Sequence, residues 1–541
     1  MTLLHSLLDD PLIRVRQRGD GAQRQLTLPG LFVALAADEI RDFPALRPHQ
    51  RHPWHAFLVQ LAAIALHHQG KDQPLGSEAH WRTALLDLTP EQPNGAAWCL
   101  VSPIDQPAFL QPPVPEGSLE KWDEEISPEA VDLLFLSKNH ELKPQRMVTA
   151  APDDWIFALV SLQTAAPFGG KENYGVARMN GGYSSRPGLG VLPRGGLGVR
   201  WQRDVEIMLA NRDNLVAEHA YASSDGLSLC WLQPWDGSPN SALSFGEMDP
   251  FFIEVCRRVR MTQQQGRVSL RRTSTKSTRI TKQEKDARKG NTGDLWTPIQ
   301  KKEGKSIHVP ETGFDYRLLT DLAFGSSWRA PSAQRLRAQD DHDGLRLVAR
   351  GVSGANCRTH GYHERQVPLR SNMRRLFLQG NMGLLERIAA RRVEAVSNIN
   401  KELLSAIIEL LDQGKNRNWR DIPDPIKKRA GALSKPFEQA EDLRFFDCLS
   451  KEVEATEAER EAIYLEWLLT MAERARDVLR QTFHAGPKSA ERRYRAQAAA
   501  TSRLEGGLRS TKVVPALAEH YRQERLSKEN IDDSNRDRAE P

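Results

Sequence analysis

Phe168-Gly-Gly-Lys-Glu-Asn-Tyr-Gly-Val-Ala-Arg-Met-Asn-Gly-Gly-Tyr-Ser-Ser-Arg-Pro-Gly-Leu-Gly-Val191 is the stretch around which the rest of the chain is read. It holds the glycine pairs Gly169-Gly170 and Gly181-Gly182, with Arg178, Arg186 and two tyrosines close by. Glycine lets backbone approach a ligand because no Cβ intervenes and positive φ costs little. Arginine offers a planar fork of donors suited to phosphate or base edges. Such a loop suits a nucleic-acid groove, and it equally suits a run of surface β-turns. The residues alone leave both readings open.

Around this stretch lie 541 residues, 39% of them hydrophobic and 27% charged, which is enough apolar material for two to four soluble domains. No run of about 18 apolar residues occurs, which excludes an ordinary transmembrane helix. The start, Met1-Thr-Leu-Leu-His-Ser-Leu-Leu-Asp-Asp10, has no basic region and meets acids early, so no signal peptide is expected. Five widely spaced cysteines (Cys99, Cys230, Cys256, Cys357, Cys448) form no Cys-x-x-Cys pair, which suits a reducing cytoplasm and argues against a disulfide framework or a four-cysteine zinc site. The net charge of +5 is modest, but Arg257–Lys305 carries fifteen Lys and Arg against four acids. That segment reads as a footprint for a polyanion, or as a solvated loop.

Hydrophobic period predicts short strands at Pro11–Arg16 and Gln25–Leu28, a helix beginning at Leu31–Ala37 and a buried helix over Pro53–His68. Residues 90–128 read as irregular with one short strand. Trp155–Thr164 reads as a helix leading into the glycine-rich stretch, and Val205–Leu209 and Leu227–Leu232 read as strands. Thr262–Thr292 has few large apolar residues and reads as a flexible loop. From Leu376 onward, helical patterns run through Leu384–Leu411, Ala440–Val453, Glu457–Thr482 and Lys488–Leu504, with a charged tail after Leu526 that reads as frayed. The expected fold is α+β: a mixed N-terminal domain over residues 1–375 and a C-terminal four-helix bundle over residues 376–541.

Candidate chemistry is sparse. His342-Asp343 is a dipeptide found in some metal-dependent nucleases, yet no matching His pair accompanies it. Cys357-x-x-His360-x-x-His363 holds zinc-binding groups at a spacing that fits no common finger, and no fourth ligand is visible. No phosphate-cradling Gly-x-x-x-x-Gly-Lys loop, nucleophile elbow or His-Glu-x-x-His motif occurs. Neither an enzyme nor a cofactor is expected; the chain reads as a binding protein.

Several landmarks, in order, resemble the large subunit (CasA) of the type I-E CRISPR surveillance complex, Cascade. They are Leu3-Leu4 with Pro11–Val15, Gln106-Pro-Ala-Phe-Leu-Gln111, Asn139-His140-Glu141-Leu142-Lys143, Asn173–Pro187, Pro250–Met261 and Thr292–Ile299, closed by the helical region. The resemblance implies a non-enzymatic subunit of an RNA-guided antiviral complex that recognises a short motif beside the target in duplex DNA. It also implies that the subunit starts strand separation, supports R-loop formation and helps recruit a helicase–nuclease. Implied partners are target DNA, the guide-RNA complex, and the backbone, small and guide 5′-end subunits. By position, Gly169 and Gly170 would form a loop approaching the minor groove. Lys301 or Lys302 would be a lysine finger, and Gly354-Ala355-Asn356-Cys357 a strand-splitting wedge, with Asn356 where the family has glutamine. Asn139 and Lys143 would contact the guide-RNA end and the motif, and Arg178 and Arg186 would meet phosphate or brace the loop. Basic helix faces such as Arg387, Arg391 and Arg392 would track phosphate. Some family members carry a cysteine-rich zinc site; this chain lacks the cysteine pairs, so no structural metal is expected. A metal-dependent nuclease and an RNA-binding scaffold are the alternatives.

Overall fold

The computed structural model describes residues 3–134, 147, 149–180, 185–355, 358–415 and 417–537. The chain is a mixed α+β protein, as expected. It divides into two compact units, Met1–Phe314 with Ser326–Pro368, and Asp315–Gly325 with Leu369–Pro541.

The first unit is organised on the helix Arg51–His68, in which nearly every residue from His52 to Leu66 is buried. A helix that is apolar all round belongs in the middle of a core. Trp54 stacks on Phe57 at 5.7 Å and meets Phe157 edge-on at 5.0 Å, which joins this helix to Pro152–Ala165. Gln60 is one of two buried polar residues here, with His52, and its amide donates to the carbonyls of Phe251 and Phe252 at 3.1 and 2.8 Å. Among the described residues, six small sheets complete the unit. Three have three strands: Gln23–Leu26, Ile13–Gln17 and Ile40–Asp42; Arg258–Gln264, Arg267–Thr273 and Asp123–Glu125; and Arg358–Pro368, Arg346–Ala355 and Gly188–Leu192.

Three expectations are corrected here. Val205–Leu209 is not a strand but the end of the helix Leu197–Ala210. Its short apolar window hid a helical period through Trp201, Val205 and Met208, all buried. Thr262–Thr292 is not a loop. Arg258–Gln264 and Arg267–Thr273 form an antiparallel hairpin, and Lys282–Arg288 forms a short helix. The hairpin closes on Gln265-Gly266, both at positive φ, as a tight two-residue turn requires. Apolar content was a poor guide because its third strand is held by charge, Arg271 pairing with Glu124 at 3.0 Å and Arg272 with Glu125 at 2.7 Å. That acidic strand, with Cys99–Val101, also makes two strands where residues 90–128 were expected to hold one.

In the second unit the helices Gly383–Leu411, Asp424–Glu454, Glu457–Thr482 and Ala490–Leu508 pack on one another. Tyr316–Phe324, distant in sequence, joins them, Tyr316 packing on Phe445 at 4.8 Å between ring centres. Asp424–Glu454 extends well before the expected Ala440 and runs through Pro436. The final helix continues past Leu526 to Asp537 rather than fraying there, with Lys528 reaching Glu524 at 2.8 Å one turn away. Arg392 is fully buried on Glu452 at 2.6 Å and lies over Trp467; Arg391 pairs with Glu452 and Glu461, each at 2.7 Å. Arg392 is therefore not a phosphate-tracking surface group, and Arg391, partly exposed, already has its charge engaged by two carboxylates.

Candidate nucleic-acid interface

The helix Pro152–Ala165 delivers the chain into a short closed loop. Gly169 N–H donates to the Asn173 carbonyl at 2.8 Å, and Asn173 N–H returns to the Gly170 carbonyl at 3.0 Å. Below this turn, Val176 N–H bonds the Ala166 carbonyl at 3.1 Å. Gly175 permits that closure: a Cβ there would sit 2.7 to 2.9 Å from the backbone of residues 166–168. Gly170 has φ +113°, which only glycine adopts readily. Gly169 is different. It is exposed, and a Cβ there would make ordinary contacts, the nearest 3.4 Å away on Asn173. The fold itself does not require glycine at 169.

The loop is latched by Arg257, which donates to the carbonyls of Tyr174 and of Pro167, the latter at 2.8 Å. Thr275 N–H adds a bond to the Glu172 carbonyl at 2.9 Å. Sequence reading used Arg257 as a landmark and missed this role, since a carbonyl-binding arginine leaves no mark in spacing. It also passed over Lys171, which is exposed at the tip of the turn between Gly170 and Glu172.

Arg178 and Arg186 do not face solvent; they are 3% and 2% exposed. Arg186 pairs with Asp294 at 2.6 Å, donates to Gln60 Oε1 at 3.0 Å and lies over Trp296. Arg178 donates to the Phe252 carbonyl at 2.8 Å, lies 4.0 Å over the Phe252 ring, and has Glu254 and Asp294 at 3.8 and 3.6 Å. Glu254 also accepts from Ala177 N–H at 2.7 Å. Burial pulls Arg186 below its ordinary pKa against the pull of Asp294, and burial raises Glu254 against the pull of Arg178. These arginines therefore brace the segment from within, and their expected contact with phosphate is set aside.

Lys301 and Lys302 are exposed at the tip of a turn closed by the Gln300 N–H to Lys305 carbonyl bond at 2.9 Å. Lys305 pairs with Glu303, while Lys301 and Lys302 have no ion pair among the described residues. The turn is tied to the glycine-rich stretch at Ser306, whose Oγ accepts from Asn180 N–H at 2.9 Å. Gly290 lets these strands of chain meet, since a Cβ there would collide with Ser306 Oγ and the Asn180 backbone.

The far end of the same stretch joins the hairpin Arg346–Ala355/Arg358–Pro368. Gly188–Leu192 pairs antiparallel with residues 346–350, and Ser185 N–H bonds the Val352 carbonyl at 3.0 Å. Ala355 and Arg358 are the last register partners of that hairpin. Asn356 and Cys357, and likewise Asn139 and Lys143, lie outside the described residues.

Much of the basic excess between Arg257 and Lys305 is used internally. Arg260 is buried on the carbonyls of Ser102, Pro103 and Gln111, and Arg279 on those of Cys230, Gln233, Pro234 and Ser241. Arg258 pairs with Glu116, and Lys285 donates to the Gly175 carbonyl. Burial holds both Arg260 and Arg279 near pKa 10. The exposed cations left in this neighbourhood include Lys171, Lys276, Lys289, Lys301 and Lys302.

Among the described residues, no group of three His, Cys, Asp or Glu side chains could hold a metal. His342 turns its Nδ1 to the Asp343 carbonyl, and the nearby Asp340 is buried in an ion pair with Arg203 at 2.9 Å. His363 bonds Ser353 Oγ at 2.9 Å, and His360 lies 3.5 Å from Glu311. No helix among the described residues is long and apolar enough to cross a membrane.

No family model matches the chain, and no curated protein gives a significant match. Solved structures do. Thermus thermophilus CasA (Cse1) superposes with a TM-score of 0.64 at 15% identity, over 94% of this chain and 99% of that one. The CRISPR-associated protein Cse1 of Acidimicrobium ferrooxidans gives 0.59 at 14% identity, over 96% and 99%. Thermobifida fusca Cse1 gives 0.60 at 13% identity, over 95% and 98%. The chain shares the Cse1/CasA fold along nearly its whole length.

Proposed function

We propose that this chain is the large subunit of a type I-E CRISPR surveillance complex. In that role it is a non-enzymatic, cytoplasmic DNA-recognition protein. It recognises a short motif beside the target in duplex DNA and starts strand separation for guide RNA to complete. It then holds the open state with the small subunits and presents it to a helicase–nuclease. Base pairing by the guide supplies most of the sequence reading, so the protein needs only a local grip on the duplex.

One observation carries this reading beyond the shared fold. Residues 166–180 hold the Gly169–Asn173 turn and are bonded at Asn180 to the base of the Lys301-Lys302 turn, and residues 188–192 further along the same stretch pair with the Arg346–Ala355 strand. The expected groove-approaching loop and the lysine turn are thus both bonded to one internally braced stretch, which supports their acting together; the expected wedge at Asn356 lies outside the described residues. The exposed Gly169, which the fold does not require, supports a ligand's reason for glycine. Minor-groove reading by backbone and lysine is degenerate and suits a tolerant motif.

Gly169→Leu tests the assignment, because position 169 is exposed and a Cβ there meets only ordinary contacts within the protein. In a complex assembled with guide RNA, motif-bearing duplex should bind about tenfold or more weakly, roughly 1.4 kcal/mol, with assembly unchanged. Unaltered duplex affinity would remove the loop from the interface.

A further inference from the structure

A cavity of about 860 Å³ lies in the first unit, away from the glycine loop and the lysine turn, and seven arginines line it. Its size falls in the range of small-molecule sites. Two of the arginines, Arg16 and Arg41, share Asp42, at 3.2 and 3.7 Å. Arg51, Arg194 and Arg346 are exposed and have no carboxylate partner among the described residues. Arg200 and Arg350 lie deeper. Arg350 is balanced by Glu364 at 3.0 Å, but Arg200 reaches only Asp204, at 3.8 Å, and its buried Nε makes no hydrogen bond. Asp204 is itself shared with Arg203, with His55 at 2.8 Å and with the Trp296 indole at 3.0 Å. Burial, with the charge of Arg350 adding to it, pulls Arg200 down to about 10.

This cluster has more positive charge than its own carboxylates offset, and part of it is removed from water. An anion entering the cavity would meet forked donors already held in place. Apolar residues also line it, among them Phe43, Pro44, Leu46, Leu192 and Pro193. The adjoining start of the helix Leu197–Ala210 is not part of the anion site, because Asp38 already accepts from Gly196 and Gly198 N–H, each at 3.0 Å.

We propose that this cavity binds a nucleoside phosphate, with phosphate oxygens on Arg51, Arg194, Arg200 and Arg346 and the base against the apolar lining residues. The ligand is either a free nucleotide or the terminal nucleotide of a single strand; the recognition chemistry is the same. The inference is independent of motif reading and needs no partner subunit.

The test uses the full chain alone, with fluorescent ATP and a labelled hexathymidylate carrying a 5′-phosphate as probes. At least one should bind, and Arg51→Ala/Arg194→Ala should weaken it about tenfold or more, a loss of roughly 1.4 kcal/mol. Both side chains are exposed, so the pair should fold. Arg492→Ala/Arg493→Ala removes equal exposed charge from the helix Ala490–Leu508 and should change binding by less than about twofold, near 0.4 kcal/mol. Binding of ATP identifies a free nucleotide, and binding of the oligonucleotide alone identifies a strand end. Absence of binding by both probes, or equal losses in the two double variants, overturns the proposal.

Discussion

Gly175 and Gly169 are held in the same loop for different reasons. A methyl at 175 would press into the backbone of residues 166–168, whereas one at 169 meets only ordinary contacts. Gly175→Ala should therefore destabilise the protein by about 1–3 kcal/mol, while Gly169→Ala should stay within about 0.5 kcal/mol of wild type in a denaturant titration. Equal stabilities would show that the loop is not closed as described. His219 supplies a pH-dependent counterpart. Burial, with the charge of Arg288 adding to it, pushes its imidazole from an ordinary 6.5 down to about 4. The folded state thus excludes a proton that the unfolded chain binds. Its contribution is complete above about pH 6.5 and is lost as pH falls from there towards 4. His219→Gln should flatten the fall in denaturation midpoint between pH 7 and 5; an unchanged slope would place the titration elsewhere.

At the scale of elements, the Lys301-Lys302 turn is built to lose its charge without loss of fold. Both side chains are exposed, and the turn is closed by backbone bonds. Lys301→Ala/Lys302→Ala should leave stability within about 0.5 kcal/mol. The assembled complex should bind duplex more weakly, with a shallower salt dependence because fewer counterions are released. An undiminished salt slope would mean that these lysines do not meet DNA. Elements with a long apolar run, such as Arg51–His68, or a clear one-sided period, such as Gly383–Leu411, were legible in sequence because burial imposes those patterns. Two kinds of element were not. Val205–Leu209 was too short a window to separate a helix end from a strand. The Arg258–Thr273 hairpin takes its third strand through cross-strand charge and lays the Arg258 guanidinium over Trp122, which composition registers only as a basic, polar stretch. The same blindness made Arg178 and Arg186 look like ligand groups. Spacing cannot reveal that Glu254 and Asp294, far along the chain, return to neutralise them.

At the scale of the whole molecule, the charge pattern has a different meaning from its first appearance. Much of the basic segment is used inside the fold, and its exposed remainder includes short turns such as those at Lys289 and Lys301-Lys302. Exposed charge on short turns suits contact at one place on a duplex, which is what the proposed motif reading requires. The most direct test is to assemble the guide-RNA complex with and without this chain and measure binding to two duplexes that differ only in the bases flanking the target. The account predicts that the chain enters the complex and that its presence creates a preference of about tenfold or more between the flanks, since each mismatched pair at a protein-read site costs roughly 1–3 kcal/mol. Equal affinity for the two duplexes in its presence, or failure of the chain to join the complex, would contradict it.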